Sequence, residues 1–263
     1  MNRIDHFILT RFNVKVAYAD LGTRLDPAWL RHRFELFDRF CYPSVCGQSN
    51  QNFRWLVLFD SDTPPIFKEK VKDYSKWNNF IPVYMTASNG ERRKITREVI
   101  MGYMADGVER IITTRLDNDD AIHRDFVQTL HDSVHDNTVE FINFTYGYVW
   151  HQSKIYLTAQ ASNPFISLVE KADGFRTVYS GVEHTRLSTV APIREIMVEP
   201  LWLQVVHERN VSNRVQGIRK PIKRLHNFAI DRTCIPTRND WSSCWLERCQ
   251  DALNRAIRKT FRR

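Results

Sequence analysis

A chain of 263 residues with 43% hydrophobic and 26% charged content has the make-up of an ordinary globular protein, one domain or one domain with a tail. No stretch approaches the roughly 18 apolar residues that a membrane span needs, and the opening residues Met1 to His6 lack an apolar leader, so a cytoplasmic location is expected. The net charge of +8 lies in the last part of the chain, where 12 Lys/Arg face 4 Asp/Glu from Arg219 onward, while the 26 basic and 26 acidic residues before it cancel. A nucleic-acid-binding domain spreads its charge over a folded face with interleaved aromatics, so no nucleic-acid partner is expected of this neutral body and basic appendage.

His6 to Thr10 is a short apolar run that reads as a buried strand. Asp26-Pro27 then opens a helix, because Asp caps well and Pro is tolerated at the first helical position; Leu30, Phe34, Phe37 and Cys41 form its apolar face until Pro43 ends it. Phe53 to Phe59 is a strong strand running into Asp60-Ser61-Asp62. Phe80 to Met85 is a weaker strand whose Pro82 suits an edge. Ser88-Asn89-Gly90-Glu91 fits a capping box for a helix that buries Ile95, Val99 and Met104, shows Arg93 and Arg97 on the other face, and stops at Gly107.

Arg110 to Leu116 is a β-branched strand that ends in Asp117-Asn118-Asp119-Asp120, followed by a helix over His123 to His135. This alternation predicts a parallel α/β sheet. Val139 to Phe144, Tyr148 to Gln152 and Ile155 to Thr158 are closely spaced strands, as in antiparallel hairpins, and Leu201 to Val206 is one more strand before His207. A mixed sheet flanked by helices follows, with residues 1–218 as the folded body and 219–263 as a basic helical extension. Five cysteines without C-x-x-C spacing read as reduced thiols.

In parallel α/β sheets ligands bind beyond the carboxyl ends of strands, where Asp117, Asp119 and Asp120 sit. Carboxylates one residue apart can supply hard oxygen ligands to Mg²⁺ or Mn²⁺, or one metal ligand and one ribose contact. Such an ion completes its shell from phosphates, as in a nucleoside diphosphate. The same acids can also form a solvated turn with Asp120 as N-cap. An EF-hand is excluded, because counting from Asp117 puts Ala121, Ile122 and Gln128 where the loop needs an acid, Gly and Glu. An aspartyl-phosphate nucleophile fits poorly, since Thr10 and Arg11 follow the first strand.

The segments His6 to Asn13, Phe34 to Phe37 with Tyr42-Pro43-Ser44 and Gln48, Phe53 to Asp60, Thr113 to Asp120, and Trp202 to His207 with Asn210 to Asn213 resemble, in order and spacing, the GT-A glycosyltransferases and within them the bacterial rhamnosyltransferase family. The resemblance spans roughly residues 6 to 213. It implies a GT-A-like fold and transfer of a sugar, rhamnose among the candidates, from a nucleotide-sugar donor to a glycan or lipid-linked acceptor. It further implies that Asp119 holds the metal, that Asp117 contacts the ribose or shares the metal, and that His207 is a further ligand. Thr10, Arg11 and Asp60 would then line the nucleotide pocket, and Arg97 and Arg115 would face phosphates, for which guanidinium forks are suited. His207 can instead be a hydrogen-bonded structural residue. An inverting enzyme also needs a carboxylate base; Glu183, after Gly181, is the first candidate, with Asp120 and Asp173 as alternatives. Two other classes remain open: a cation-dependent glycan-binding protein without catalysis, and a basic nucleic-acid-binding protein.

In the tail, Trp241, Trp245, Cys249, Leu253, Ala256 and Ile257 fall along one helical stripe, with Arg248, Arg255, Arg258, Lys259 and Arg262 mostly off it. Such a basic amphipathic helix suits the surface of an anionic membrane, where each nearby basic residue adds on the order of 1 kcal/mol. The stripe can equally pack on the body or on a second subunit.

Overall fold

Strands whose residues are apolar on both faces must be covered on both faces, and the centre of this protein is built that way. In the computed structural model, which describes residues 3–15, 23–86, 89–135, 139–179, 181, 184–207, 215–235, 240–247 and 249, strands β1 (Ile4–Arg11), β2 (Arg54–Asp60), β3 (Phe80–Met85) and β4 (Arg110–Arg115) run parallel in the order β3-β2-β1-β4. Side chains alternate between two cores. Ile8, Trp55, Val57 and Ile112 enter one together with Phe34 of α1 (Pro27–Leu36), Phe67 and Val71 of α3 (Pro65–Tyr74) and Phe126 and Leu130 of α5 (Phe126–Asp132). Phe7, Leu9, Leu56, Leu58 and Ile111 enter the other with Ile100 of α4 (Asn89–Tyr103).

Helix α1 does not stop at Pro43. A π-helical stretch, Phe37–Cys41, widens the turn, and α2 (Tyr42–Cys46) continues with Pro43 in its first turn, where the missing N–H costs little. The expected cap is present, since Asp26 Oδ1 accepts from Trp29 N at 2.7 Å. Helix α3 is absent from the expectations although Pro65 begins it and Phe67, Val71 and Tyr74 are its buried stripe. Pro82 does sit on the edge strand of the sheet.

The second half is less regular than three successive hairpins. After the short β5 (Ala121–Ile122), β6 (Glu140–Phe144) joins the first sheet, whereas β7 (Tyr146–His151) crosses into a second one. There β7 pairs with β8 (Lys154–Ala159) through a tight turn with Gln152 and Ser153 at positive φ. The unexpected β9 (Ser167–Lys171) wedges antiparallel between β4 and β6, with β10 (Ile193–Ile196) outside β6. β11 (Trp202–Val205) lies between β7 and β5, and β12 (Ile218–Lys220) completes the second sheet against β8.

The boundary expected at 218 falls inside β12, and Ile222, Leu225, Phe228 and Ile230 fill a third core under the second sheet with Tyr148, Trp150 and Leu203. Beyond them, 241–247 is helical, while 250–263 lie outside the described residues, and with them most of the predicted tail helix. Cys41, Cys46, Cys244 and Cys249 are free thiols.

Gly147 lies under the Trp202 ring, and a Cβ there would come within 2.0 Å of the indole. Trp202 cannot yield, because it is fully buried, stacks on Phe165 and donates from Nε1 to Phe144 O at 2.8 Å. Gly147→Ala should therefore cost about 3 kcal/mol in urea unfolding, whereas Gly102→Ala, with nothing near its missing Cβ, should leave stability unchanged or slightly higher.

Candidate active site

The acidic run leaves the first sheet at the end of β4 and enters the second at β5, so backbone pairing decides what it meets. Antiparallel pairing sets Ile122 against Trp202 and Ala121 against Leu203. Two residues further along the same register, Asp119 and Asp120 reach the end of β11 and His207 beyond it. Asp120 Oδ1 accepts from Val205 N at 2.8 Å, and Asp119 Oδ2 lies 3.0 Å from His207 Nε2.

A third group completes this cluster. Arg33, on α1 beside the buried positions Leu30 and Phe34, donates from Nη1 to Asp119 Oδ2 at 2.9 Å and from Nη2 to Asn118 Oδ1. Asn118, itself buried, holds the loop against β1 by donating to Phe12 O at 3.0 Å. Arg33 Nη1 is also 3.4 Å from His207 Nε2, and the His207 and His32 rings meet edge-on at 5.2 Å. The sequence carried no signal for Arg33 beyond its place next to the apolar stripe of a helix.

The two neighbouring carboxyls are driven apart. Burial alone would raise Asp119, but the Arg33 charge and the bonds from His207 and Arg33 hold it at about 2. Burial, then the charges of Asp119 and Asp117, push Asp120 well above the ordinary carboxylate range. Asp120 is turned toward β11 and 4% exposed, so the structure places it as a latch between β5 and β11 rather than facing an acceptor. Asp117 is more open and pairs with Arg115 Nη2 at 2.9 Å.

The other expected site residues divide between the cleft and the core. Thr10 is fully buried and accepts from Trp55 Nε1 at 2.9 Å, which keeps its hydroxyl out of any pocket. Asp60 is also buried, paired with Arg24 Nε at 2.9 Å, and its N–H donates to Asn13 Oδ1 at 3.0 Å; it organises the loop after β2. Arg11 lies over the Tyr179 ring at 4.9 Å, and Tyr179 OH donates to Leu9 O at 3.0 Å. Arg97 lies over Phe175 at 5.2 Å, and a Cβ on Gly181, whose φ is +92°, would come within 2.9 Å of Arg93 Nη1. Burial raises the Tyr179 phenol, opposed by the nearby charges of Arg11, Arg115 and Arg92. The ends of β1 and β4 and the first half of α4 thus gather arginines around one aromatic segment, next to Asp117. Glu183 lies outside the described residues, and Asp173 has no contact that ties it to this cleft among the described residues.

Among the described residues no three His, Cys, Asp or Glu side chains converge as a closed metal cage. Asp119 and His207 nevertheless form a donor set of one carboxylate oxygen and one imidazole nitrogen. Their 3.0 Å separation matches that of adjacent ligands on an octahedral ion with bonds of about 2.1 Å. The pair fits an ion that takes its other ligands from water and phosphate.

Comparison with known proteins settles the family. A family model described as "Putative rhamnosyl transferase" matches residues 12–219. The chain belongs to this glycosyltransferase family. Its architecture, mixed sheets flanked by helices, is the α/β class expected from the sequence. No curated protein matches the chain. Among solved structures it is similar to S. aureus TarS 1-349, at 12% identity over 76% of this chain and 60% of that one with a TM-score of 0.46. It is also similar to the glycosyltransferase GlyE of Streptococcus pneumoniae TIGR4, at 10% identity, 95% and 64% coverage and TM-score 0.42. A third likeness is to a "putative nucleotide-diphospho-sugar transferase" from Desulfovibrio desulfuricans G20, at 12% identity, 79% and 83% coverage and TM-score 0.38. The chain spans about 60% of the TarS fragment's length.

The latch role of Asp120 predicts a pH signature. Its folded pKa lies above the unfolded value near 3.9, so its contribution to stability is full below about pH 4 and is lost as pH rises through the folded pKa. Asp120→Asn keeps an acceptor for Val205 N without the titrating charge. Its melting temperature should match or exceed that of the wild-type chain at pH 7, with the difference vanishing toward pH 4, and nucleotide binding should persist. A variant that folds but loses turnover would return Asp120 to the list of bases.

Proposed function

We propose that this protein passes a sugar, rhamnose being the one its family description suggests, from a nucleotide-diphosphate donor to a glycan or lipid-linked acceptor, with Mn²⁺ or Mg²⁺ held by Asp119 and His207. The observation that carries the reading is the Asp119 Oδ2 to His207 Nε2 approach of 3.0 Å at the carboxyl end of β4. When bound, the ion would neutralise the charge that grows on the departing diphosphate, an effect worth several kcal/mol of barrier.

The chain's own groups then have defined tasks. Asp119, already ionised above about pH 2, needs no proton loss to act as a ligand. His207 would supply the imidazole nitrogen of the donor set, 3.0 Å from the Asp119 oxygen. Arg33, which pairs with Asp119 at 2.9 Å, would stand beside the bound ion as a guanidinium suited to diphosphate oxygens. Arg11 and Arg115 at the adjacent ends of β1 and β4, with Arg97 nearby on α4, supply further cations for the nucleotide phosphates, and Asp117 is positioned for the ribose or the ion. The base that takes the acceptor proton is proposed to be Glu183.

A thermal-shift panel of nucleoside diphosphates with and without Mn²⁺ tests this. At about 100 times the dissociation constant the matching nucleotide with Mn²⁺ should raise the melting temperature by about 5 °C or more, and neither component alone should do so. Asp119→Ala should abolish the shift, and His207→Ala should weaken Mn²⁺ affinity about tenfold or more while moving the apo melting temperature little. An Asp119→Ala variant that responds like the wild-type chain would falsify the site assignment. Binding with no release of nucleotide from any donor would favour a non-catalytic glycan-binding role instead.

A further inference from the structure

The helical segment 241–247 is fastened to the body along one side only. Ahead of it, the Asp240 carboxylate receives Arg219 Nη2 at 2.7 Å and Ile222 N at 3.2 Å. Glu247 at its far end receives Lys154 Nζ at 2.7 Å and lies 3.4 Å from Arg219 Nε. Between them Cys244 is buried, its Sγ donating to Arg219 O at 3.4 Å. At about 100° per residue, Cys244 and Glu247 occupy one side of the helix, while Trp241, Trp245 and Leu246 occupy the other.

Those three residues are 46%, 64% and 60% exposed. The stripe read from the sequence therefore faces away from the protein as far as it is described: Trp241, Trp245 and Cys249 are all exposed, and Cys244, off the stripe, is the residue that packs inward. Two large indoles and a leucine held outward by ion pairs on the opposite face call for an outside occupant.

The charge around the helix selects which one. Among the described residues from Arg219 onward, Asp240 and Glu247 are spent in the ion pairs that fasten the helix, while Lys223, Arg224 and Arg232 are exposed cations. Lys223 Nζ stands 4.5 Å above the Trp241 ring, so a cation accompanies an indole at the surface. Exposed Trp and Leu beside a basic excess match the interface of an anionic bilayer, with indoles at headgroup depth and ammonium and guanidinium groups on lipid phosphates.

We propose that this face docks the protein on an anionic lipid surface, with Trp241, Trp245 and Leu246 entering the headgroup region and the exposed cations Lys223 and Arg224 holding it there. The inference does not depend on what the cleft transfers. Among the described residues no helix is long and apolar enough to cross a membrane, so the attachment would be peripheral.

Vesicle sedimentation of the full chain tests it, with phosphatidylglycerol/phosphatidylcholine vesicles against pure phosphatidylcholine at low and high salt. The chain should pellet with the anionic vesicles at low salt only, and Trp241→Ser/Trp245→Ser should lower the partition constant about tenfold or more at unchanged melting temperature. If the double variant is less stable, Leu246→Glu, at an equally exposed position, serves for the same comparison. Equal partitioning of variant and wild-type chains, or indifference of the wild-type chain to anionic vesicles, would overturn the proposal. A concentration-dependent dimer that the substitutions dissolve would assign the face to a second copy.

Discussion

Three carboxylates within four residues, at the end of a strand buried on both faces, repel one another in a place that water screens poorly, and the fold is arranged around that constraint. Arg33 meets it by holding Asp119 and Asn118 together. Removing one partner of such a buried pair typically costs about 3–5 kcal/mol, so the helix that carries Arg33 has little freedom to move. The long run of α1, π-turn and α2 packs Phe34 and Phe37 on Phe12 and Trp55, and these contacts deliver the guanidinium to the end of β4. Asp120 resolves its share by burial against the β11 backbone, and Asp117 by pairing with Arg115.

The same arrangement explains why two sheets meet at the site. β4 belongs to the first sheet and β11 to the second, and the loop 116–120 with β5 is the link between them. His207, some 90 residues from Asp119 in sequence, is brought to it by backbone pairing alone. A cluster assembled this way is rigid where it holds Asp119 and His207 and open where Asp117 and the arginines lie. That division suits binding a charged ligand from one side.

How far the sequence revealed this depends on the kind of signal each element carries. Strands β1 to β4 and helices α1 and α4 stood out because they are long, periodic and capped, and the acidic run was legible because charge at a strand end breaks an apolar pattern. β9 was not, since Ser167 to Lys171 is a short run with only Leu168 and Val169 apolar, and α3 was obscured by the two prolines at its start, Pro64 and Pro65. Among site residues, Asp119 and His207 were expected together and are found together. The family resemblance put Thr10 and Asp60 in the pocket, but a strand's last residues point alternately to either side, and theirs meet Trp55 and Arg24. Arg33 was invisible because an arginine on a helix is ordinarily a solvated one, and only the three-dimensional path of α1 gives it a partner.

The central claim is that Asp119 and His207 share one divalent ion with the donor diphosphate. Pulsed electron paramagnetic resonance on Mn²⁺ bound with a nucleoside diphosphate reads both sides of that claim at once. The account predicts ¹⁴N coupling from an imidazole and ³¹P coupling from the diphosphate on the same ion, with the nitrogen coupling lost in His207→Gln and the ion itself lost in Asp119→Ala. A nucleotide-bound Mn²⁺ without nitrogen coupling in the wild-type chain, or one unaffected by the Asp119 substitution, would contradict it.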